Sequence, residues 1–210
     1  PFTAALIKEK FKEKKIDVSS YLKIVPLNSK IKLGKFEIDF VTLTHSILEP
    51  NGLSITTPLG TVLHTGDWKV DPNPLIGGNI DEKKLKEIGK KGVTSMICDS
   101  TNIFSPGRAG SELEVRDSLL KIIELKSQKI LITSFASNVA RMESIFYCAK
   151  KTDRSICLVG RSMHRIYKAA RKCGYLKDVI EPLEPKDANK IAKNKILYLA
   201  TGSQGEPMGA

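Results

Sequence analysis

Gly60-Thr61-Val62-Leu63-His64-Thr65-Gly66-Asp67 reads as a short β-strand that stops at a turn carrying a carboxylate. Thr61, Val62 and Leu63 suit a pleated, half-buried strand, and the Thr-Gly pair punctuates it. Just before it, Pro58-Leu59-Gly60 is a turn and residues 53–57 form a second strand, so the two make a hairpin. Further back, residues 36–43 are a strand that runs into Thr44-His45-Ser46. His45 and Asp67 therefore stand at neighbouring strand ends, where they can grip one metal ion. Imidazole nitrogen and carboxylate oxygen are both ordinary zinc ligands, and a carboxylate can bridge two ions. That is hydrolase chemistry with part of its ligand set in view.

The flanks give the organisation. Residues 4–15 read as a lysine-rich helix, and residues 21–26 and 31–33 as strands. After the hairpin comes a loop over residues 71–78, punctuated by Pro72, Pro74, Gly77 and Gly78. From Ile80 onward, helices (82–91, 111–126, 138–151, 162–173 and one near 187–193) alternate with strands (93–99, 129–133, 155–159 and 196–200). Strands and helices of that length in alternation imply parallel βαβ units. The chain thus has a β-rich first part and an α/β second part, with the change near residue 100.

Composition narrows the function classes. The 210 residues are 41% hydrophobic and carry a net charge of +11, which favours polyanions over acidic or neutral partners. Lysine-rich solvated helix faces would account for the charge equally well, since residues 8–15 and 83–91 interleave Glu with Lys. No apolar run reaches membrane-spanning length and no secretory signal is visible. Cys98, Cys148, Cys157 and Cys173 make no C-x-x-C pair and read as reduced core cysteines, so the expected location is the cytoplasm. Pro1 and Ala210 read as the ends of a stretch cut from something longer.

The ends of the α/β strands are polar. They deliver Asp99-Ser100-Thr101-Asn102, Ser134-Phe135-Ala136-Ser137-Asn138, Gly160-Arg161-Ser162 and Thr201-Gly202-Ser203-Gln204-Gly205-Glu206. In open α/β sheets ligands gather at such ends, and hydroxyls with free amides at a helix start hold phosphate well. Taken singly, Ser137 reads as an N-cap and Asp99 as a turn cap; four such loops together point to a shared site. Arg161, Arg165, Lys168 and Lys172 also recur at helical spacing, a stripe that could track a nucleic-acid backbone or simply face solvent.

These strings, together with His64-Thr65-Gly66-Asp67-Trp68-Lys69 and Gly202-Ser203-Gln204-Gly205-Glu206-Pro207-Met208, resemble bacterial ribonuclease J, a member of the β-CASP branch of the metallo-β-lactamase superfamily. The resemblance runs nearly the whole chain. It implies an α/β fold: a partial metallo-β-lactamase αβ sandwich over residues 1–100, then a truncated, Rossmann-like β-CASP domain with a mainly parallel sheet over residues 101–210. It implies that His45 and Asp67 are metal ligands and that Asp67 and Asp99 are catalytic, Asp67 bridging two zinc ions and Asp99 being the acid that opens the β-CASP region. Ser134, Ser137, Asn138, Arg161, Ser203, Gln204, Gly205 and Glu206 would contact the RNA backbone. The implied activity is zinc-dependent hydrolysis of RNA phosphodiesters, as 5′-to-3′ exonuclease and endonuclease, in a protein that forms homo-oligomers and has no membrane partner.

The departures matter as much. The family's His-x-His-x-Asp-His motif is absent, and Ile47-Leu48-Glu49-Pro50 stands where the family has Ile-Pro-Asp. Trp68 replaces a more usual Phe. Catalytic zinc sites carry about three protein ligands per ion. With two candidates for the whole centre, this stretch alone is expected to bind zinc poorly and to be inactive. The alternative is a catalytically dead RNA-binding fragment or partner subunit. A small-molecule metallo-hydrolase of the same superfamily fits the charge and the α/β part less well.

Overall fold

The computed structural model describes residues 1–205. Two sheets divide it. The first has the order β1 (Lys30–Leu33), β2 (Phe36–Thr42), β3 (Asn51–Thr57), β4 (Gly60–His64), β5 (Ser95–Ile97). Its first three pairings are antiparallel and the last, β4 with β5, is parallel. The hairpin expected from the Pro58-Leu59-Gly60 turn closes with Thr57 opposite Gly60. Gly60 sits at φ +138° with the Thr94 side chain against it, so a Cβ there would meet the Thr94 hydroxyl at 2.2 Å.

The second sheet is parallel throughout, with β8 (Ile196–Ala200) between β6 (Ile130–Thr133) and β7 (Ser155–Val159). Its helices are α3 (Glu112–Glu124), α4 (Val139–Lys151) and α5 (Arg161–Lys172). The mixed α/β architecture expected from the sequence is the observed one. Helix α2 (Glu82–Lys91) precedes β5, and α1 (Phe2–Glu13) packs on α5.

Two expected elements do not form. Residues 21–26 are coil. Pro26 lacks an amide for a ladder, and Asn28 at φ +56° turns the chain, so pairing starts only at Lys30. The helix near 187–193 shrinks to one turn, α6 (Pro185–Ala188), and a 3₁₀ turn at Lys193–Lys195. Pro185 at the first helical position fixes that start.

The main core lies in the second half. Met142, Ile145 and Phe146 of α4, Ile156 and Leu158 of β7, Leu197 and Leu199 of β8 and Met163 of α5 are all buried together. Phe146 and Tyr167 stack with ring centroids 5.7 Å apart, joining α4 to α5. Phe2 and Leu48 insert from the first half. The first sheet is less covered: Phe36, Met96 and Ile97 are each more than half exposed. Among the described residues no helix is long and apolar enough to cross a membrane.

The halves meet at a buried polar junction. The Asp71 carboxylate accepts from the amides of Asn73 at 2.9 Å and Glu112 at 3.1 Å, and Lys69 Nζ lies 3.3 Å from it. Glu112 begins α3, so Asp71 places negative charge where the helix leaves amides unpaired. The Glu112 carboxylate in turn accepts from Arg141 Nε at 2.9 Å. Removing one member of a buried pair strands the other. Glu112→Ala is therefore expected to destabilise the fold by about 2–4 kcal/mol in urea denaturation, because Arg141 loses its carboxylate. The double change Glu112→Met/Arg141→Met should recover part of that loss.

Candidate active site

The site is assembled by two threonine hydroxyls. Beyond β2 the chain pairs Thr44 with Lys69 in antiparallel sense, and the Lys69 amide donates to the Thr44 carbonyl at 2.9 Å. The Thr44 hydroxyl donates to the Lys69 carbonyl and accepts from the Asp71 amide at 3.2 Å. Thr65, buried just after β4, accepts from the Asp99 amide at 3.1 Å and donates to the Gly66 carbonyl at 2.8 Å. Its own amide donates to the Ile97 carbonyl at 3.0 Å. His45, the turn carrying Asp67, and Asp99 are thereby tied together. His64 serves the same turn, its Nδ1 accepting from the Gly66 amide at 3.0 Å.

The three candidate groups face different spaces. His45 lines a small enclosed cavity with Glu49, Asp71, Glu112 and Tyr175. Asp67 is exposed and borders a groove beside α1 and residues 22–27. Asp99 lines an open cleft of about 930 Å³ together with Trp68. The Asp99 carboxyl is held below the usual carboxylate range, first by the Thr101 hydroxyl, then by the Thr101 amide; burial opposes this, while the Trp68 amide and the charge of His45 add to it.

His45, Asp67 and Asp99 offer the donor types that zinc takes. Among the described residues, however, no three His, Cys, Asp or Glu side chains converge as a metal shell. The donor chemistry fits a zinc centre, and the donor number is partial.

The strand-end loops are also placed. Because β6, β8 and β7 are parallel and in register from Thr133 to Ala200 to Val159, residues 134–138, 160–161 and 201–205 share one edge of the second sheet. Asp99 to Asn102 follow β5 of the other sheet. The link between them is the Ala140 amide at the start of α4, which donates to the Ser46 carbonyl at 3.2 Å, next to His45. Ser137, Arg161, Ser203, Gln204 and Gly205 lie toward solvent or at a turn. Ser134 is buried, with its amide on the Ala200 carbonyl. Asn138 Oδ1 accepts from the Arg141 amide at 2.8 Å and so caps α4. Glu206 lies outside the described residues.

The cationic stripe on α5 does not stand free. Arg165 pairs with Glu13 at 2.9 Å and Lys172 pairs with Glu9, so half of it holds α1 in place. His164 Nε2 lies 3.0 Å from the Leu158 carbonyl, a structural contact. The altered loop after His45 also has a structural use: Leu48 is buried in the core, and Glu49, at φ +55°, accepts from the Phe2 amide at 2.7 Å.

The sequence profile described as "Ribonuclease J, beta-CASP domain" matches residues 127–210. Ribonuclease J of Sinorhizobium meliloti is 39% identical over 210 residues, spanning all of this chain and 37% of its own length. The chain is similar to ribonuclease J throughout. Ribonuclease J of Corynebacterium glutamicum is 40% identical over 214 residues and is covered to 29%. Ribonuclease J of Thermus thermophilus is 36% identical and is covered to 36%. The chain thus spans about a third of the length of the curated ribonuclease J relatives it matches. A solved structure of a protein of unknown function from Enterococcus faecalis superposes with a TM-score of 0.62 at 16% identity, covering 97% of this chain and 52% of the other. At that identity it speaks for the fold alone.

Sequence reasoning passed over Thr44, Thr65, Asp71, Glu112 and Arg141. Ser111-Glu112-Leu113-Glu114 fits a capping box of Ser111 with Glu114, whose two hydrogen bonds both form, and this marks Glu112 only as the first residue of a helix. The contacts by which these residues join distant segments span 25 or more positions and leave no local pattern.

Thr65→Val is expected to destabilise by about 1–3 kcal/mol, because the Asp99 amide and Gly66 carbonyl lose their partner, while Thr65→Ser should stay near the parent in thermal unfolding. Thr101→Val should raise the Asp99 pKa toward its ordinary value, as followed by carboxyl NMR. With a depressed folded pKa, the contribution of Asp99 is present above the unfolded value and is lost as pH falls through the folded one.

Proposed function

We propose that this chain is part of a metal-dependent ribonuclease J-type hydrolase acting on RNA phosphodiesters. Residues 1–100 would belong to the metallo-β-lactamase portion and residues 101–210 to the β-CASP domain. The observation that carries the reading is the tie made by Thr44 and Thr65, which fastens His45, the Asp67 turn and Asp99 to one another beside the start of α4. His45 and Asp67 would be metal ligands, with two zinc ions as the proposed metal. The ions, when bound, supply a hydroxide at neutral pH.

This chain's own residues do the positioning. Asp67 would fix the metal spacing, and Asp99, steadied by Thr101, would orient a ligand or a water. Ser137, Arg161 and residues 203–205 would hold neighbouring phosphates at the edge shared by β6, β8 and β7, with Ser134 and Asn138 shaping that wall from beneath. The proposed reaction covers 5′-to-3′ exonuclease and endonuclease cleavage in the cytoplasm by a homo-oligomer. Residues 1–210 alone would be inactive, because the donor set among the described residues is partial.

That partial donor set also favours the second reading, an RNA-binding protein without catalysis. The deciding measurement uses the intact protein, zinc and 5′-labelled single-stranded RNA, with a chelated control. The expected result is zinc-dependent cleavage that Asp67→Asn and His45→Ala reduce beyond the ~10–100-fold typical of losing an outer partner. RNA binding with no turnover at any zinc level would decide for the second reading.

A further inference from the structure

The open cleft at Asp99 has mixed walls, hydroxyls and charges on one side and apolar surface on another. Trp68, half-buried, and Val70, more than half exposed, line one part, and Ile103 at 71% exposure lines another. Arg108 stands exposed on the rim and forms no ion pair among the described residues. Its volume, about 930 Å³, is at the upper end of the ~300–1,000 Å³ range of small-ligand sites. Two carboxylates, Asp99 and Glu114, and two cations, Lys69 and Arg108, border it, so the cleft has no excess of positive charge to hold a phosphate. Glu114 is already engaged, accepting from the Ser111 amide at 3.0 Å, whereas Asp99 keeps acceptor capacity beyond Thr101.

An indole, aliphatic side chains and a guanidinium around a carboxylate suit a flat, neutral ring that bears N–H donors. Such rings stack on aromatic and guanidinium planes without regard to sequence. The chain's net charge of +11 brings a polyanionic strand near, while the cleft, its cations and carboxylates balanced, offers the phosphates no net attraction. We propose that this cleft takes one unpaired nucleobase of a single-stranded RNA, stacked on Trp68, with Arg108 closing over it and Asn102 and Asp99 meeting its polar edge. The site rests on the ribonuclease reading above and deepens it. It places a base-holding pocket beside the candidate catalytic acid, so Trp68 would set how an unpaired strand is presented.

Trp68 is the single tryptophan of this chain, which gives the site its own reporter. The test uses the intact protein with chelator present, so that nothing is cleaved. Trp68→Phe serves to subtract any other indole emission. A short single-stranded oligoribonucleotide should quench Trp68 saturably. An abasic strand of the same length and charge, and inorganic phosphate, should not. Trp68→Ala should weaken oligoribonucleotide binding about ten-fold, while Trp68→Phe should stay within about three-fold of the parent. Equal quenching by the abasic strand would overturn the proposal, as would an unchanged affinity in folded Trp68→Ala. Base-dependent quenching in a protein that never cleaves RNA would keep this site and overturn the catalytic reading; zinc-dependent cleavage without base-dependent quenching would do the reverse.

Discussion

A carboxylate with almost no access to water holds the two halves of this molecule in one arrangement. Asp71 stands at the end of the strand extension that begins at Thr44, and it accepts the first amide of α3. A charge so placed is costly unless its lone pairs are filled, and here two amides and the Lys69 ammonium fill them. The residue that donates the amide, Glu112, passes the constraint on through its own carboxylate to Arg141 of α4. The start of α4 then reaches back to Ser46. The loop is closed: site segment, α3, α4, site segment. Asp71 and Glu112, the two buried carboxylates, hold that loop together, which gives the segment bearing His45 a defined place against the parallel sheet.

How far the sequence could be read follows from the range of the interactions. The hairpin, α2, α4, α5 and the parallel strands rest on local patterns, such as a Pro-Leu-Gly turn, apolar periodicity and capping residues, and they appear where those patterns put them. The segment 21–26 has a strand-like composition, yet no partner strand lies in register with it beyond the turn at Asn28. The candidate site was legible as residue types at strand ends, and the specific strings resemble those of ribonuclease J, to which the chain is similar throughout. What local patterns could not convey is which hydroxyls and carboxylates bind the strings together. Thr65 looks like any strand-end threonine until the amide of Asp99, 34 positions on, comes to rest on it.

The charge of the chain is another case in which structure divides what composition lumps together. Lys172 and Arg165 on α5 spend their charge on Glu9 and Glu13 of α1, and Lys84 reaches the carbonyls of Asn28 and Phe40. Such exposed ion pairs contribute little stability individually, about 0–1 kcal/mol, but they fix the helix against its neighbour's face, while Arg161 and Arg108 stand exposed at the edges where strand ends and clefts lie. The positive charge is therefore of two kinds, one part used in pairs that position helices and another that faces solvent, Arg108 at the rim of the Asp99 cleft and Arg161 at the sheet edge included.

The order of the parallel sheet has a temporal consequence. Its middle strand, β8, follows both of the strands that flank it, since β6 and β7 are made much earlier. During synthesis those two strands emerge with an empty slot between them, each offering an unsatisfied backbone edge beside apolar side chains. Only when residues 196–200 clear the ribosome can the slot be filled and the core under α4 and α5 close. Pairings of such long sequence separation are slow to form. The nascent chain therefore passes through an interval in which its most aggregation-prone surface is open, and a chaperone that covers bare strand edges would act on it there.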